Sequence, residues 1–100
     1  LNINGNIIET SDVKLKKNIK KMNSKSELDK ITKLSGYQYK KIINDQDENG
    51  LIAQQVEQLY PELVKNNNGY KGISYNRLIP SLVESIKEQQ IQINDLKSKL

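Results

Sequence analysis

A chain of 100 residues, 35% of them hydrophobic and 5% aromatic, with tyrosine as the sole aromatic type, supports one small domain with a modest core. It contains no cysteine and no histidine, which excludes disulfides, thiolate or imidazole metal sites and histidine-based catalysis, and its acids show no calcium-loop spacing, so neither metal nor cofactor is expected. The net charge of +4 gathers in Lys14, Lys16, Lys17, Lys20 and Lys21 without interleaved aromatics, and Arg77 is the single arginine, which reads as a solvated face and not as a nucleic-acid footprint.

No apolar run approaches a membrane span, so a soluble segment is expected. In residues 1–10, LNINGNIIET, Ile3 and Ile7 flank Asn4-Gly5, a dipeptide favoured in tight hairpin turns, and a trailing β segment is expected there. The chain opens on Leu in strand-like sequence, as a C-terminal fragment of a longer protein would. From Ser11 the composition turns lysine-rich and predicts a helix holding Val13, Leu15, Ile19 and Met22, with Asn23-Ser24 as its break. A second helix is expected from about Ser26, with Glu27 at its positive end, an apolar stripe of Leu28, Ile31 and Leu34, and Gly36 as its stop.

YQYKKII, Tyr37 to Ile43, reads as a strand and NDQDENG as the polar loop after it. Leu51, Ile52, Val56 and Leu59 form a helical stripe that Tyr60-Pro61 should end or bend. KNNNGYKGISY is turn sequence leading to a short strand around Tyr70 to Tyr75, for which Tyr37–Ile43 is the economical antiparallel partner. From about Asn76 to Leu100 a long helix carries Ile79, Leu82, Ile86, Gln89, Ile93, Leu96 and Leu100 at alternating spacings of three and four, a coiled-coil seam. Pro80 falls near its start, where a proline costs little. By heptad rules the seam tolerates a dimer, and Gln89 at a d position trades stability for register or oligomer specificity. The expected architecture is α+β, mostly α: a β segment over 1–10, a body with short strands over 11–75 and a C-terminal coiled-coil helix over 76–100.

Without histidine, any serine nucleophile here depends on a lysine base. Ser11 and Lys16 are the candidates. An ordinary lysine has a pKa of about 10.4, and lowering it by roughly three units takes about 4 kcal/mol of environment. Lys14, Lys17 and Lys20 nearby, together with burial at an oligomer interface, would act in that direction. Positions five apart lie about 140° apart on a helix, so a regular element would separate the pair. A change of structure at residue 11 leaves Ser11 outside the helix, where a lysine stem reaches back; the same geometry also fits Ser11 or Asp12 as a simple N-cap.

SDVKLKKNI at 11–19, GLIAQQVE at 50–57, YPELV at 60–64 and ISYNRLIPSLVESIKE at 73–88, followed by the terminal coil, resemble in order and extent the peptidase S74 family. These are the intramolecular chaperone domains at the C-termini of endosialidases and phage tail spikes, also found in myelin regulatory factor proteins. The resemblance implies a parallel homotrimer that assembles a fibrous tail spike or tail fibre and then cuts itself off, leaving a virion-associated fibre whose precursor assembled in the host cytoplasm. Its partners would be further copies of itself and the N-terminal fibre part of the same polypeptide, with no nucleic acid and no membrane. By residue, it implies Ser11 as nucleophile, Lys16 as general base and Thr10-Ser11 as the bond cut. Asp12 and Asn18 fall on motif positions as dyad support or, more simply, as a cap and a turn. Lys14 stands where arginine is common. Gln54, Gln55 and Glu57 are either substrate-contacting or a polar helix face. A permanent, non-enzymatic trimerisation or capping module is the competing reading.

Overall fold

The computed structural model describes residues 2–3 and 6–100, with side chains from Ile8 onward. Strands β1 (Asn2–Ile3) and β2 (Asn6–Ile7) pair antiparallel, Ile3 opposite Asn6; the expected Asn4-Gly5 turn lies outside the described residues.

The lysine-rich helix expected from Ser11 does not form. A single 3-10 turn, Val13–Leu15, is followed by irregular chain up to Asn23, and Asn18 takes the left-handed backbone region at φ 54°. No residue between Ile8 and Asn23 is buried, so no apolar face is available to repay helix nucleation. The first α-helix, α1 (Ser24–Ile31), starts at the expected break because Asn23 is its cap, its side chain accepting from the Ser26 amide at 3.1 Å. It ends at Ile31, well before Gly36.

The two expected strands do not pair with each other. β3 (Tyr37–Lys40) pairs antiparallel with β4 (Asp47–Gly50), drawn from the expected polar loop, and Lys40 Nζ meets Asp47 Oδ1 at 2.8 Å across the register. Ile42 and Ile43 leave the strand for the hairpin tip, where Asp45 at φ 57° and the Asn44 side chain, accepting from the Gln46 amide at 3.0 Å, turn the chain. β5 (Val64–Asn67) pairs with β6 (Tyr70–Ile73) through Asn68-Gly69, at φ 55° and 83°, the type I′ pattern that matches strand twist. Local turn chemistry closes each hairpin before a distant strand can compete. Between the hairpins, α2 (Ala53–Leu59) ends at Tyr60 as expected, and Pro61 opens a 3-10 turn, Pro61–Leu63.

Val56, Tyr60, Leu63 and Leu78 form the buried core, with Ile31, Leu34, Leu51, Leu59, Val64 and Ile73 packed around it. A 3-10 turn, Tyr75–Leu78, leads into the long helix α3 (Ile79–Ser98), which has Pro80 in its first turn. α1 packs along α3, and four polar side chains on these helices, Glu27, Ser81, Ser85 and Glu88, are buried. Each is satisfied where its chemistry requires it. Ser85 Oγ donates to the Ser81 carbonyl at 2.7 Å, Tyr60 donates to Glu27 Oε1 at 2.8 Å, and Glu88 accepts from Ser24 Oγ at 2.8 Å and from Gln92 Nε2 at 3.0 Å. Burial, and then the bond to Glu27, push the Tyr60 phenol up to about 12.

The hydrogen bonds from Gln92 and Ser24 hold the Glu88 carboxyl below its ordinary value, against an opposing desolvation effect. The sign follows from linkage. A depressed folded pKa stabilises the fold above the ordinary glutamate pKa of about 4.3, and that contribution is lost as pH falls through the depressed value. Urea unfolding as a function of pH should therefore show Glu88→Gln less stable than the parent at neutral pH, with the difference between the two shrinking below about pH 4. A constant offset across that range would mean that the Glu88 carboxyl titrates alike in the folded and unfolded chain.

Candidate functional site

Ser11 and Lys16 meet. Lys16 Nζ donates to Ser11 Oγ at 2.6 Å, a hydrogen bond spanning five residues of sequence. The 3-10 turn makes this possible where a regular helix would not. Asp12 enters it extended (φ −70°, ψ 132°) and Lys16 leaves it extended (φ −112°, ψ 146°), while the Leu15 amide donates to the Asp12 carbonyl at 3.0 Å and the Lys16 amide to that of Val13 at 3.1 Å. One tight turn between two extended residues folds the lysine stem back over the serine. Both residues are exposed in the single chain.

Asp12 caps the turn, its Oδ1 accepting from the Lys14 amide at 2.9 Å, and its other carboxylate oxygen lies 3.7 Å from Lys14 Nζ. Asn18 provides the left-handed corner after it, a conformation asparagine tolerates better than most residues. Among the described residues, neither side chain hydrogen-bonds to Ser11 or Lys16. The second motif is engaged elsewhere. Gln55 exchanges hydrogen bonds with the Tyr37 hydroxyl at 3.1 and 3.3 Å, Glu57 pairs with Lys71, and Gln54 is exposed.

Thr10 and the residues just before it have no regular structure, yet they are attached to the body. The amide Nδ2 of Asn76 donates to Glu9 Oε1, joining positions 67 apart in sequence. Ser74 Oγ donates to the Asn76 carbonyl oxygen Oδ1 at 2.9 Å. Ser74 is itself held by its amide on the Leu63 carbonyl at 2.8 Å, and the neighbouring Tyr75 hydroxyl accepts from the Leu51 amide at 2.9 Å. Gly50 permits that latch, since a Cβ there would lie 2.8 Å from the Tyr75 hydroxyl and 3.1 Å from that of Tyr39. Sequence reasoning missed the Glu9–Asn76 link because nothing in residues 1–10 or 73–80 marks a contact at such separation.

The coil positions Ile79, Leu82, Ile86, Gln89, Ile93, Leu96 and Leu100 all face solvent in the single chain, with Ile86 65% and Leu96 63% exposed. They lie about 100° around α3 from the Ser81–Ser85–Glu88 face that packs on α1.

The family described as chaperone of endosialidase, peptidase S74, matches residues 11–65, a span that opens on Ser11 and includes Lys16. The long tail fiber protein Gp37 of Enterobacteria phage K3 is 34% identical over 110 aligned positions, which cover 99% of this chain and 9% of that protein. Its counterpart from Enterobacteria phage T2 is likewise 34% identical, over 99% of this chain and 8% of its own length. The chain thus spans less than a tenth of the curated relatives it matches. On the family match, which spans more than half of its residues, the chain belongs to the chaperone-of-endosialidase family.

Proposed function

We propose that this chain is the intramolecular chaperone of a phage tail fibre, which brings three copies of the fibre together through α3 and then releases itself by cutting beside Ser11. The observation that carries this reading is the 2.6 Å contact between Lys16 Nζ and Ser11 Oγ. Cleavage proceeds with Lys16 as a neutral amine. It takes the Ser11 hydroxyl proton, and Oγ attacks the Thr10 carbonyl carbon. The carbon–nitrogen bond to Ser11 then breaks, its nitrogen receiving the proton from Lys16, and Thr10 is left as an ester on Oγ. Water hydrolyses the ester to a Thr10 carboxylate and a free Ser11 hydroxyl.

Assembly supplies what the single chain lacks. A neighbouring copy that takes Lys16 out of water favours its neutral form, so the cut follows association in time. β-rich fibres fold slowly through non-local pairings, and short tethers raise the other chains to about millimolar effective concentration. Register is then fixed before the strands zip, and removal of the chaperone leaves the fibre kinetically trapped. The domain division belongs to this reading: 1–10 remains with the fibre, while 11–75 and the coil depart.

The exposure of Lys16 in the single chain favours one alternative, a permanent trimerisation or capping module. Mass spectrometry separates the two. The purified chain should yield a fragment beginning at Ser11, and Ser11→Ala should remain whole; an intact species in both, persisting after assembly, would establish the module.

A further inference from the structure

The proposed dyad is a local device: Ser11, the turn Val13–Leu15 and Lys16 position one another without help from the rest of the chain. The carbonyl to be attacked belongs to Thr10, on the other side of Ser11, and residues 8–10 have no regular structure of their own. Attack by a neighbouring hydroxyl requires a narrow approach, and a misplacement of about 1 Å can cost on the order of a hundredfold in rate. Something outside the dyad must orient that stretch.

Resting on the self-cleavage reading above, we infer that Asn76 is a positioning residue for the cut, holding Glu9 so that the Thr10–Ser11 bond is presented to Ser11 Oγ. Three features support this. Glu9 immediately precedes Thr10, and its carboxylate accepts from Asn76 Nδ2, which fixes the chain just upstream of the bond. The Asn76 amide is oriented by its surroundings, because Ser74 Oγ donates to its Oδ1 at 2.9 Å and leaves Nδ2 turned to Glu9. The platform under it is tied to the core through the Ser74 amide on Leu63 and the Tyr75 hydroxyl at Leu51. Asn76 lies in the 3-10 turn that runs directly into α3. The segment to be cut is therefore fastened to the root of the helix through which copies associate, and a displacement of that root is transmitted to the bond.

The experiment follows cleavage over time by mass spectrometry in Asn76→Ala, Asn76→Asp, Glu9→Gln and the double variant Asn76→Asp with Glu9→Gln, with oligomeric state measured for each. Asn76→Ala should cut about a hundredfold more slowly. Asn76→Asp should be slower still, since two carboxylates then face each other. Glu9→Gln keeps an acceptor and should cut close to the parent rate. The double variant restores an amide opposite a carboxylate with the roles exchanged, and it should recover most of the rate lost in Asn76→Asp, which a purely structural role for Asn76 would not produce. Parent-like cutting by assembled Asn76→Ala, or a double variant no faster than Asn76→Asp, overturns the proposal while leaving the dyad intact. A parent chain that never cuts refutes the self-cleavage reading instead. Amide hydrogen exchange in the uncut Ser11→Ala background then tests the tether itself: adding Asn76→Ala should speed exchange at residues 8–10, and unchanged exchange means that the tether does not form.

Discussion

Lys16→Arg is expected to leave the chain uncut, as completely as Lys16→Ala does, while association proceeds in both. Arginine preserves charge, length and the ability to donate to Ser11 Oγ, so every structural duty visible in the 2.6 Å contact survives. It fails in one respect. The guanidinium stays protonated at any working pH, with a pKa of about 12 or above, and cannot take the proton that must leave the hydroxyl. A positioned general base is worth about a hundredfold to ten-thousandfold, and serine without one is a poor nucleophile. If Lys16 only braced a turn, arginine would be tolerated to within about 0.5 kcal/mol, as exposed substitutions usually are. Cleavage of Lys16→Arg at the parent rate, read as the fraction of chains beginning at Ser11, would remove Lys16 from the chemistry.

Replacing Ile86, Gln89 and Ile93 together by glutamate should yield a monomer that does not cut itself. Each buried isoleucine contributes about 1.5–3 kcal/mol to an interface, and each glutamate there would face the same residue on its neighbours in a parallel assembly, so attraction gives way to repulsion. The body should survive. None of the three side chains belongs to the core around Val56 and Tyr60 or to the polar face against α1. Sedimentation gives the oligomeric state and mass spectrometry the cut. Efficient cutting by a demonstrated monomer would separate catalysis from assembly even with Ser11 and Lys16 as the dyad, whereas a persistent trimer would place the seam elsewhere on the molecule.

Elements declared by local chemistry could be read from the sequence, and those decided by competition could not. Pro61 and Pro80 and the long periodic run after Asn76 each announce their own structure, and the helix end, the first-turn proline and the long helix are found, while of the stripe Val56 and Leu59 lie in α2 and Leu51 and Ile52 precede it. Strand pairing was not legible, because alternation in YQYKKII says nothing about which partner arrives first. The turns at Asp45 and Asn68-Gly69 supply a nearer partner for each strand. The lysine-rich helix is absent for a different reason, since apolar residues stabilise a helix only when something covers them. At the candidate site, the lack of histidine and the motif both point to Ser11 and Lys16, and the stem that reaches back does so across a 3-10 turn, where a regular helix would separate the pair. The clasp between Glu9 and Asn76 left no trace in sequence.

The chemistry of α3 has a further consequence for the order of events. Its face toward α1 is built from Ser81, Ser85 and Glu88, whose small or hydrogen-bonded side chains suit one neighbour, while isoleucine and leucine occupy the adjacent face. If copies associate through α3 as proposed, a subunit would complete its own fold without consuming the surface that recruits its siblings. Maturation of each protomer and recruitment of the others would then run in succession and not as rivals for the same residues, so that a freshly made chain would wait, folded and receptive, until its companions arrive.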